Sequence, residues 1–299
     1  MSLAPEQYLQ PDVISQVQRL DLKAQFIVEG FISGLHRSPF HGFSVEFSEH
    51  RKYTPGDDIR LIDWSVFGKT DRYYIKKYQA ETNLEAYLLM DCSGSMDFAS
   101  GGRMLKMDYS ICLAAALGYM MIRQQDPVGL FVFDDKIRAH LPAKAKRSHL
   151  TDILTVLART KPFGKTSLAR SLHDVAERIK KRSLIILISD MLDDQQAVLN
   201  GLQHIRHRGH DLIIFQVLDH SEAAFDFDGQ FFFEDPETHE TVRTDSSAAR
   251  ADYLNELRKF IQEYRTQCQA VRADFVTVDN AMTFDKALVE YLIQRQNRF

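Results

Sequence analysis

The densest chemistry in this chain lies at Asp91-Cys92-Ser93-Gly94-Ser95, directly after the apolar run AYLLM at 86–90. In an open α/β sheet, ligands bind beyond the carboxyl ends of the strands, so Asp91, Ser93 and Ser95 stand where a site is expected. Residues at i, i+2 and i+4 of a tight loop can converge on one point. One carboxylate with two hydroxyls is a donor set for a hard cation and contains no soft ligand. Two more residues fit: Asp190 ends the run LIILIS at 184–189, and Thr166 lies in FGKTSLARSL just before a helix. The candidate metal set is therefore Asp91, Ser93, Ser95, Thr166 and Asp190. Magnesium is the expected ion, with manganese or calcium as alternatives. Three hydroxyls add no charge, so the ion would be under-neutralised and keep a position open for a carboxylate from another molecule. The competing reading is a serine-rich helix cap beside two incidental aspartates.

These residues need a scaffold. From about residue 83 the sequence alternates strand and helix. The strands AYLLM (86–90), VGLFVF (128–133), LIILIS (184–189), LIIFQV (212–217) and DFVTV (274–278) are apolar on both faces, which predicts a sheet covered on both sides. Amphipathic helices are predicted at 104–123, 148–159, 167–181, 195–207, 248–270 and 284–297. The fold class is α/β, a doubly wound and mostly parallel sheet with a smaller β-rich addition. Residues 225–245 alternate aromatic and polar side chains around Asp228-Gly229, which predicts an inserted hairpin whose Phe225, Phe227, Phe231 and Phe233 pack on the N-terminal strands. A helix is expected at 12–35, where Val13, Val17, Leu20, Ala24 and Ile27 form one stripe. The organisation is an N-terminal helix at 1–35, a β-rich segment at 36–82 and the α/β domain at 83–299.

The DxSxS string after a buried strand, the threonine of Gly164-Lys165-Thr166-Ser167-Leu168 and the later strand-end aspartate together resemble the metal-ion-dependent adhesion site of von Willebrand factor A domains. All five positions match in order. A second resemblance precedes the site. The run Arg51-Lys52-Tyr53-Thr54-Pro55-Gly56-Asp57-Asp58-Ile59-Arg60-Leu61-Ile62-Asp63-Trp64 is similar to the signature of the family known as domain of unknown function 58, in which it leads into an A-type domain. Members are often encoded beside MoxR-type AAA+ ATPases, so the resemblance implies such an ATPase, or its client, as a protein partner reached through an acidic side chain. Read from the residues alone, the run is a turn with a salt-bridged network beside a buried Trp64 ring.

Other functions are disfavoured. The net charge of −4 gives no bulk attraction to nucleic acid. The longest strongly apolar run, Leu113 to Ile122, is too short to span a membrane, and the N-terminus does not read as a signal peptide. Cys92, Cys112 and Cys268 are widely spaced and odd in number, so free thiols in a cytoplasmic setting are expected. Gly164-Lys165-Thr166 lacks the earlier glycine of a P-loop, since position 159 is Arg159. His204, His207 and His210 do not share one helix face and read as a solvated basic helix end. The expected function is non-enzymatic, metal-dependent protein binding by an adaptor or co-chaperone, with no catalytic residues. The alternative is a metal-dependent phosphohydrolase, against which Ser93 stands where D-x-D enzymes carry their second acid.

Overall fold

The structure is a computed structural model that describes residues 45–53, 64–80, 85–123, 125–234 and 240–282. The expected helices at 12–35 and 284–297, and Thr54 to Asp63 of the signature run, lie outside the described residues. The chain divides into a smaller unit within Val28–Asn83 and a larger one over Leu84–Phe299.

In the smaller unit, β1 (Val45–Lys52) and β2 (Tyr74–Ala80) pair antiparallel, with α1 (Trp64–Thr70) between them in sequence. Phe67 stacks on Tyr73 at 4.5 Å, and Trp64 meets Phe67 edge-on at 6.1 Å. Trp64 is nonetheless 62% exposed, which corrects the expectation of a buried ring. An edge contact with one neighbour does not enclose an indole.

The larger unit runs β3 (Glu85–Asp91), α2 (Lys106–Arg123), β4 (Val128–Phe133), β5 (Ile137–Lys144), α3 (Arg147–Arg159), α4 (Leu168–Arg178), β6 (Ser183–Ser189), α5 (Gln195–His207), β7 (Asp211–Leu218), α6 (His220–Ala224), β8 (Gln230–Glu234), β9 (Thr241–Asp245), α7 (Ser246–Ala270) and β10 (Asp274–Asp279). Six strands form one sheet in the order β10-β7-β6-β3-β4-β5. All neighbours are parallel except β5, which runs antiparallel to β4 at the edge. The fold is α/β with a mostly parallel sheet, as the alternating pattern predicts. Leu89, Phe131, Ile185, Leu187 and Ile214 pack on one face against Leu172 and Val175 of α4, Leu202 of α5 and Tyr264 of α7. On the opposite face α2 approaches closely at Gly118, where a Cβ would lie 3.6 Å from the Leu88 side chain. Gly129 of β4 has no such room: a Cβ there would fall 2.4 Å from the Tyr87 ring.

The chain leaves β3 toward β4 on one side and later returns to β6 on the other. The carboxyl ends of β3 and β6 therefore flank the topological switch point, where crevices form in open sheets. The hairpin differs from expectation in its turn. Gln230 pairs with Asp245 and Glu234 with Thr241, so Asp228-Gly229 leads into β8 and does not link the strands. Its phenylalanines pack on one another, and Phe225 lies 4.6 Å from Tyr253 of α7.

Candidate metal centre

Each of the five parallel strands delivers an aspartate at or just past its carboxyl end: Asp91, Asp134, Asp190, Asp219 and Asp279. The first four are buried. Their charges are met differently. Arg138 Nε donates to Asp134 at 2.6 Å, Lys106 Nζ donates to Asp190 Oδ2 at 3.0 Å, and His220 lies 2.6 Å from Asp279. Asp219 is held by neutral donors from Ser100, Ser221 and Asn280. Asp91, at the centre of the sheet, is also held by neutral donors: Ser93 N at 2.9 Å on Oδ1 and Ser189 Oγ at 2.6 Å on Oδ2.

Burial and, second, the charge of nearby Asp190 push the Asp91 carboxyl up to about 7. A buried carboxylate without a cation gains much from one. Beside it, the hydroxyls of Ser93 and Ser95 lie 3.1 Å apart. Adjacent oxygens in an octahedral magnesium shell lie about 3 Å apart, given ligand distances of about 2.0–2.1 Å. The donor chemistry and the hydroxyl spacing therefore fit a small hard divalent ion.

The other candidate residues come in through backbone contacts. Phe163 N donates to Cys92 O at 2.9 Å and Gly94 N to Gly164 O at 3.0 Å. This short ladder docks the loop carrying Thr166 beside the Asp91 loop, and Thr166 is half-buried there. Asp190 is fully buried and accepts from Leu192 N at 3.2 Å. The next residue, Met191, has a φ of 65° although it is neither glycine nor asparagine. That left-handed backbone, with Met191 N donating to Ser189 Oγ at 2.9 Å, is the kind of local strain that collects at functional sites.

Sequence reasoning missed three contributors. Ser189 was read only as strand. Lys106 is 0% exposed and bridges Asp190 and Glu222, the latter at 2.9 Å. Glu222 also accepts from Asp219 N at 2.7 Å and closes a capping box on α6. The partners of Lys106 lie 84 and 116 residues away, so no local pattern announces them. The only available signal was a lysine opening a strongly apolar helix. His210 is buried and accepts from Ser183 N, which corrects the reading of these histidines as a solvated helix end, while His204 lies beside His173 and Glu177. Among the described residues no three His, Cys, Asp or Glu side chains gather as a metal cage.

Fold and site together define an open, doubly wound α/β domain with buried carboxylates and hydroxyls gathered at its switch point. The chain belongs to the family described as Protein of unknown function DUF58, whose model matches residues 49–263. It is similar to uncharacterized proteins of Mycobacterium tuberculosis and Mycobacterium bovis, 25% identical over 233 residues, which is 76% of this chain and 72% of each relative. Among solved structures it is similar to the conserved hypothetical protein BatB of Bacteroides thetaiotaomicron, at 14% identity and a TM-score of 0.46 over 72% of this chain and 99% of that one. It is also similar to an aerotolerance-related membrane protein of Bacteroides fragilis, at 16% identity and 0.47 over 71% and 99%. The expected cytoplasmic location is corrected against that last description. No helix among the described residues is long and apolar enough to cross a membrane, but an α/β domain can belong to a membrane protein without containing the span itself.

Proposed function

We propose that residues 83–299 form a von Willebrand factor A-like domain with a metal-ion-dependent adhesion site. In this reading Asp91, Ser93 and Ser95 hold magnesium, with manganese or calcium as substitutes, and Thr166 and Asp190 coordinate directly or through water. The module binds protein and does not catalyse. It serves as an adaptor or co-chaperone for a MoxR-type AAA+ ATPase or that ATPase's client. The observation that carries the reading is the pairing of Asp91, buried and without a cation, with two hydroxyls 3.1 Å apart at the switch point. A bound divalent ion would supply Lewis acidity toward an incoming carboxylate.

Two exposed apolar side chains support a protein partner. Phe163 and Leu192, 73% and 45% exposed, sit on the loops that carry Thr166 and Asp190. Exposed apolar groups beside a charged anchor are typical of recognition surfaces. The test is affinity for the purified ATPase with magnesium, with EDTA, and for Asp91→Ala. The reading expects binding only in the first case. Equal affinity in all three would remove the metal from the contact. Magnesium-dependent turnover of a phosphomonoester that disappears in Asp91→Ala would replace the reading with a hydrolase.

A further inference from the structure

Lys106 is the first residue of α2, where the helix macrodipole disfavours a cation, and its side chain is fully buried. Its ammonium is ion-paired to two carboxylates, Asp190 at 3.0 Å and Glu222 at 2.9 Å. It is therefore a fixed positive charge. One of its bonds is to Asp190 Oδ2 at 3.0 Å, while Asp190 Oδ1 is taken by Leu192 N. Both oxygens of this carboxylate are already committed to donors, one of them a full cation. At Asp91 the donors are neutral. Asp190 and Glu222 share this one ammonium and Asp91 has no cation, so the three ionised carboxylates and the lysine leave two negative charges, the charge of one divalent ion.

Resting on the metal reading above, we propose that Lys106 is a positioning residue that withholds Asp190 from direct coordination. The ion is then held by Asp91 and neutral hydroxyls, and its residual positive charge must be met by an acidic side chain of the partner. A resident cation also repels the incoming ion, so the site is kept weak until a partner arrives. Glu222 has the opposite effect, since it absorbs part of the lysine charge.

The experiment is manganese titration of the full chain by calorimetry at pH 8, for wild type, Asp91→Ala, Lys106→Met and Glu222→Gln, with folding checked by circular dichroism. Lys106→Met should bind manganese at least tenfold more tightly than wild type, because Asp190 is released and a repelling charge removed. Glu222→Gln should bind at least threefold more weakly. A role in folding alone cannot give opposite signs; it would weaken both. Weaker or unchanged affinity in folded Lys106→Met, or unchanged or tighter affinity in Glu222→Gln, overturns the inference. If wild type binds manganese and Asp91→Ala does not, the metal reading survives that failure. If Lys106→Met does not fold, Lys106→Gln takes its place, with the same expected tightening and the same overturning result. No binding by wild type or by either charge variant overturns the inference and the metal reading together.

Discussion

Replacing Asp91 by asparagine should stabilise the metal-free protein at neutral pH while abolishing its response to magnesium. The carboxyl is moved from 3.8 to about 7 by burial and by Asp190. A displacement of that size corresponds to ~4 kcal/mol by which the fold disfavours the ionised form. The sign follows. Because the folded value is raised, the native state holds its proton where the unfolded chain has lost it, so wild-type stability falls as pH rises from about 4 to about 7 and then levels. Asparagine escapes this penalty. It can still accept from Ser93 N, but it loses the charged acceptor facing Ser189 Oγ, costing ~1.5–3 kcal/mol. The net gain at pH 8 is then ~1–2.5 kcal/mol, or roughly 2–10 °C in melting temperature for a unit of this size. Differential scanning calorimetry from pH 4 to 8, with EDTA or with magnesium, measures it. The advantage of the variant should grow between pH 4 and 7 and then level. Magnesium should raise the wild-type melting temperature and leave the variant's unchanged. An advantage independent of pH, or a magnesium shift retained by the variant, would refute the argument.

Further outcomes follow from other parts of the molecule. Gly129→Ala forces a methyl into the Tyr87 ring and should destabilise the fold by ~1–3 kcal/mol in urea unfolding, with little change in manganese affinity relative to its folded fraction. Asp219→Ala removes the acceptor that joins Ser100, Ser221 and Asn280, and should cost ~2–4 kcal/mol by the same assay. Burial opposes ionisation of Asp219, but bonds from Ser100, Ser221 and Asn280 hold its carboxyl well below the usual range, so its contribution should be present at neutral pH and be lost on acidification, opposite in sign to Asp91. Burial pushes the Cys92, Cys112 and Cys268 thiols up to about 12, so a thiol reagent should label these three slowly in the native protein and rapidly in denaturant.

How far the fold could be read depended on what each segment buries. The five strands with continuous apolar runs are the parallel strands, since a strand covered on both faces leaves no polar position to confuse its period. Edge strand β5 went unread because only alternate residues are partly covered, and IRAHLPAK carries Arg138, His140 and Pro142 on its outer positions. The hairpin turn was misplaced because Asp228-Gly229 is a strong turn dipeptide. Here it serves the entry to β8, with Gly229 at a φ of 101° and its carbonyl accepting from Ser246.

The site divides along the same line. Asp91 and Asp190 were legible because a strand end is a position that sequence marks, and topology then brings two such ends together. What was illegible is charge balance. Whether a strand-end aspartate is available to a ligand depends on which cation, if any, folding brings to it. Arg138 reaches Asp134 from four residues away, but Lys106 reaches Asp190 across 84 residues. Five strand ends supply similar carboxylates along one edge; Arg138, Lys106 and His220 meet Asp134, Asp190 and Asp279, while Asp219 and the central Asp91 are held by neutral donors. What sets Asp91 apart from Asp190 is therefore less the DxSxS string than the buried cation that folding places on one and not on the other.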